Sequence, residues 1–138
     1  GPGAQATVST VINQLGDADP RVVQAAVYAL GKIGQASSHA LPALSKLTQS
    51  PDELLRMTSV WAILRISPRT PELVKQAVPV LTQGLKHGRE FVRLEAAMTL
   101  GELGPAASES MPALQAAASD SSAAVRSAVS VAIKKIKL

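Results

Sequence analysis

Four stretches of the chain can be laid over one another: "DPRVVQAAVYALGKIG" at 19–34, "DELLRMTSVWAILRIS" at 52–67, "REFVRLEAAMTLGELG" at 89–104 and "SAAVRSAVSVAIKKI" at 122–136. Val22, Leu55, Val92 and Val125 share one column, Leu30, Ile63, Leu100 and Ile133 a second, and Ile33, Ile66, Leu103 and Ile136 a third. Successive copies are offset by 33, 37 and 33 residues. A period of this length belongs to stacked arrays, in which each unit buries its apolar side only against its neighbours. Within a copy the apolar columns recur at helical spacing, so each copy reads as one amphipathic helix.

A shorter segment precedes each later copy: "ALPAL" at 40, "AVPVL" at 77 and "SMPAL" at 110. Proline is tolerated in a first helical turn, where its missing N–H has no intrahelical acceptor, so the prolines mark the starts of first helices. The opening copy has "STVINQLGD" instead, with Ile12 and Leu15 in the places of Leu44 and Leu47 and no proline. Asp19, Asp52 and Ser122 are suitable N-caps for the second helices. Gly34 and Gly104 can take a left-handed C-cap conformation. Pro68 and Pro71 stop the second copy, and the four extra residues there predict a longer bend. Composition agrees with packed helices: 46% of residues are hydrophobic, only 2% aromatic, and 23 are alanine, whose small side chain lets backbones approach. The fold class is therefore all-α.

The leading "GPG" reads as a tag remnant, leaving a single domain over 4–138 that is a piece of a longer protein. No apolar run approaches the roughly 18 residues of a membrane span. Cysteine is absent, which removes disulfides and thiolate metal sites. The net charge of +4 raises the question of nucleic acid, but charged residues are 17% and the basic ones are dispersed.

The pattern D-P-x-V-x-x-x-A-x-x-A-L-G-x-I-G, preceded by A-x-P-x-L, resembles HEAT repeats, particularly the short bacterial kind found in phycobilisome-lyase-type proteins. The resemblance covers residues 5 to 136, with repeats near 5–34, 38–67, 72–104 and 108–136. It departs at Val23, where the family usually has arginine, at the second repeat, which lacks both glycines, and at Lys134, which replaces the first glycine of the fourth. It implies a right-handed α-solenoid of four antiparallel helix pairs. Most such proteins are interaction scaffolds.

With Val22 at zero and roughly 100° per residue, Val22, Ala25, Ala26, Ala29, Leu30 and Ile33 fall in one arc, taken as the core. Gln24, Val27, Tyr28 and Gly31 then point away. Their equivalents are Met57, Val60, Trp61 and Leu64, then Leu94, Ala97, Met98 and Gly101, and last Ser127, Ser130, Val131 and Lys134. Such a side is ordinarily polar, whereas this one is apolar through its middle repeats. HEAT-like solenoids line their concave surface with second helices. The resulting expectation is a partner-binding face made by Tyr28, Met57, Trp61, Leu64, Leu94 and Met98. The competing reading is lateral packing between second helices, which would bury part of the Trp61 ring.

Arg56, Arg93 and Arg126 form another column. They are read as structural, reaching carboxylates or turn carbonyls of an adjacent repeat, with Glu95 pairing with Arg56 or Arg126 across a boundary. The chain has no P-loop, G-x-G-x-x-G, G-x-S-x-G or H-E-x-x-H motif. His39 and His87 lie in separate repeats, which does not make a metal site. The reading is thus a non-enzymatic scaffold that takes a protein or peptide ligand, with no cofactor or metal, as a monomer or a weakly self-associating chain. Electrostatic nucleic-acid binding and a bilin-lyase-like or enzyme-accessory role are the alternatives.

Overall fold

A computed structural model describes residues 2–138, the side chains of Pro2, Ala4, Gln5 and Ala6 excepted; Gly1 of the tag reading lies outside the described residues. The described residues form α-helices and short 3-10 turns. They divide into two compact units, Gly1–Leu73 and Val74–Leu138.

In the first unit, α1 spans Pro2–Gln14, α2 Pro20–Ile33, α3 Leu41–Leu47 and α4 Glu53–Ile66. The second unit begins within α5, Pro71–Gly84, and continues with α6, Glu90–Leu103, α7, Met111–Ala117, and α8, Ala123–Lys137. Residues Gly34–Ala40 join α2 to α3 as 3-10 turns kinked at Ser37, and Gly104–Ser110 join α6 to α7 in the same way with the kink at Ala107. Each unit thus holds two helix pairs, and the second repeats the first.

The caps follow the sequence. Asp19 accepts from the Arg21 N–H, Asp52 from Leu55 and Ser122 from Val125. Before each of them sits a second acceptor that binds the N–H of the cap residue itself. Asp17 Oδ1 takes that of Asp19 at 2.8 Å, Ser50 Oγ that of Asp52 at 3.1 Å, and Asp120 Oδ1 that of Ser122 at 2.9 Å. In the third repeat the acceptor is imidazole: His87 Nδ1 takes the Arg89 N–H at 3.0 Å. His87 is therefore a turn residue, and its Nδ1 carries no proton in this arrangement. His87→Ala should lower the unfolding free energy by about 0.5–1.5 kcal/mol, while His87→Asp, which restores the acceptor of the first and fourth repeats, should recover it. Urea unfolding of the three chains measures both.

Gly34 and Gly104 end α2 and α6 at φ 76 and φ 62, with ψ −138 and −140. This lies outside the left-handed helical well, in a region that essentially only glycine occupies, so the requirement is stricter than that of a left-handed cap. Pro42 and Pro112 sit in the first turns of α3 and α7, as their positions imply. Pro79 does not. It lies inside α5, because Pro71 offers an earlier start and the helix begins there. The extra residues of the 37-residue offset consequently lengthen a first helix. No longer bend forms; α4 ends at Ile66 and α5 starts at Pro71.

The buried arc of the second helices differs from the sequence expectation. In α2 the buried residues are Val23, Ala26, Val27, Leu30 and Gly31, whereas Ala25 is exposed and Ile33 is 39% exposed. The arc is turned by roughly a quarter-turn toward Val27 and Gly31. The cause is the next second helix. A Cβ at Gly31 would collide with the Trp61 ring of α4, and one at Gly101 would sit 2.9 Å from Ala132 Cα of α8. The side first read as open is therefore the side on which α4 meets α2 and α8 meets α6. No further helix of the described residues packs on α8, and there Ser130 and Lys134, the counterparts of Val27 and Gly31, are exposed.

Candidate functional site

Trp61 is a core residue of the first unit. Its side chain is 4% exposed, its ring stacks on Tyr28 at 5.2 Å between centroids with 10° between planes, and its six-membered edge fills the space that Gly31 leaves. The Lys32 ammonium lies over both rings, 5.3 Å from the Tyr28 centroid and 5.9 Å from that of Trp61. The Trp61 Nε1 is buried without a hydrogen-bond partner among the described residues. Met57 and Leu64 are 7% and 2% exposed. The expectation that these three side chains face a partner is corrected: all three are buried, Trp61 because its ring packs sideways against Tyr28 and Gly31 of α2. Lateral packing accounts for the tryptophan.

The remaining three stay accessible. Tyr28 and Leu94 are half-buried, and Met98 is 43% exposed. In the second unit the structure adds two residues that the sequence reading did not nominate for this face. Phe91 precedes Met98 by two turns of α6 and is 49% exposed; Val131, also 49% exposed, occupies on α8 the position aligned with Met98. Val131 stood in the Trp61 column already; the signal for Phe91 was its spacing of seven from Met98, which places both on one side of a helix.

The arginine column is a set of turn clamps. Arg56 Nη1 donates to Ser50 O at 2.9 Å, Arg93 Nη1 to His87 O at 3.0 Å and Arg126 Nη1 to Asp120 O at 2.7 Å. Each guanidinium thus closes the turn that precedes its own helix. Arg93 also reaches a carboxylate of the next repeat: its Nε and Nη2 donate to Asp120 at 2.9 and 3.3 Å, with the two side chains 15% and 10% exposed. Where these three repeats have arginine, the first has Val23, which is buried. Glu95 lies half-buried on α6, in the place of Ala25 and Ala128. Two further polar contacts join second helices within a unit, Gln24 Nε2 to Thr58 Oγ1 at 2.7 Å and Ser122 Oγ to Glu90 Oε1 at 2.8 Å.

The Ser122 N–H and the Arg93 fork hold the Asp120 carboxyl below its ordinary value of 3.8. A carboxylate whose folded pKa is depressed contributes stability in full above the unfolded value, and that contribution disappears as pH falls through the folded one. Asp120→Asn should therefore flatten the acid limb of thermal stability below about pH 4. Melting curves from pH 7 to pH 2 check this; parallel acid limbs for parent and variant would contradict it.

Among the described residues no helix is long and apolar enough to cross a membrane, and no group of three or more His, Cys, Asp or Glu side chains is placed to hold a metal ion.

No curated protein matches the chain significantly. Among solved structures, an engineered protein superposes with a TM-score of 0.68 at 24% identity, over 94% of this chain and 62% of its own. A designed armadillo repeat protein in complex with the peptide (KR)4 gives 0.66 at 23% identity, over 95% and 64%. A second engineered protein gives 0.65 at 21% identity, over 95% and 38%. The chain therefore spans less than two thirds of these structures, and the likeness establishes the fold, that of helical-repeat solenoids. The sequence model for HEAT repeats matches residues 2–64 and 78–138, one stretch in each compact unit and together most of the chain. Its match, the paired helices and the recurring turn chemistry agree: this chain belongs to the HEAT-repeat family.

Proposed function

We propose that the chain is a binding module without catalytic activity of its own, and that it holds a peptide or a segment of a partner protein on the outer faces of its second helices. The observation that carries this reading is the exposure of Met98 and Val131, 43% and 49%, at aligned positions of neighbouring helices. Large apolar side chains placed side by side on an otherwise well-packed array favour a contact surface. Tyr28 offers the corresponding position in the first unit, with Leu94 beside Met98. The HEAT and armadillo folds are typical of interaction scaffolds, which supports the same reading. The arginines speak against a phosphate track, since Arg56, Arg93 and Arg126 are engaged with turn carbonyls.

The test is selection of a displayed random 16-residue peptide library on the whole chain, followed by affinity measurements with Tyr28→Ala and Met98→Asp. Enriched peptides should lose at least tenfold in affinity for one of the variants while both keep the parent's helical circular dichroism. Failure to enrich any peptide, or affinities indifferent to both substitutions, would refute the proposal.

A further inference from the structure

We draw no further inference here: the strongest candidate, the exposed apolar patch of Phe91, Met98 and Val131 on the α6–α8 face of the second unit, carries none, because Glu95 and Glu102 of α6 and Lys135 of α8 give that face both signs of charge and nothing in the structure shows what covers it.

Discussion

Trp61→Ala is expected to destabilise the first unit by about 3–5 kcal/mol, the range for removing a buried aromatic ring from a well-packed interior. Three observations set this size: the ring is 4% exposed, it stacks on Tyr28, and it fills the space beside Gly31 that a Cβ would close. Alanine would leave Tyr28 and Gly31 facing a cavity between two helices whose backbones are already close. Set against a typical domain stability of about 5–15 kcal/mol, a loss of this order brings the unit near unfolding. Trp61→Phe provides the control. It keeps most of the ring and discards an N–H that is buried without a partner among the described residues, a group that costs about 1–3 kcal/mol when left unsatisfied. The two effects oppose each other, so the phenylalanine chain should stay within about 1.5 kcal/mol of the parent. Urea unfolding followed by far-ultraviolet circular dichroism separates the cases. A Trp61→Ala chain as stable as the parent would show that the indole is not core. Because the substitution acts on folding, loss of a ligand in that variant reports damage to the unit and says nothing about contact.

Gly101→Leu should be at least as disruptive, at about 3 kcal/mol or more, and in the second unit. A Cβ at Gly101 would lie 2.9 Å from Ala132 Cα and 3.1 Å from its Cβ. Its nearest neighbour is backbone, which cannot swing aside as the tip of a long side chain can. The helices α6 and α8 must separate to admit any side chain, and their separation strips contacts from buried Ala97, Leu100, Val129 and Ala132. Gly101→Ala is the more delicate comparison. Alanine favours a helix over glycine by about 1 kcal/mol, so propensity alone predicts stabilisation, whereas the clash predicts a loss of about 1–3 kcal/mol. The clash should win, and a melting temperature above the parent's would refute the close approach. Gly88→Ala gives the contrast, since nothing lies within 4 Å of a Cβ there and it should shift stability by no more than about 0.5 kcal/mol.

The array was legible because repetition makes the same physical demand four times. Caps need a short side-chain oxygen wherever a helix starts, and Asp19, Asp52 and Ser122 supply it in register. Gly34 and Gly104 announce backbone conformations that other residues avoid. Pro79 was misplaced for a related reason: a proline in a first turn and one inside a helix look alike in sequence, and the decision lay eight residues upstream at Pro71.

The face was legible only in part. A single-helix projection assigns one apolar arc to one neighbour, but α2 and α6 each have two, the first helix of their own pair and the second helix of the next. The second contact turns the buried arc toward Val27 and Gly31, encloses Trp61 and leaves Met98 outside, although Trp61 and Met98 share a column. Sequence by itself determined the helices, their pairing, their caps and the period at which they stack, since these follow from local backbone chemistry and apolar spacing. Tertiary structure alone decided which members of an apolar column are core and which are surface, because that depends on how closely the next helix can approach, and the approach is set by glycines on one helix and by the side chains that meet them from another.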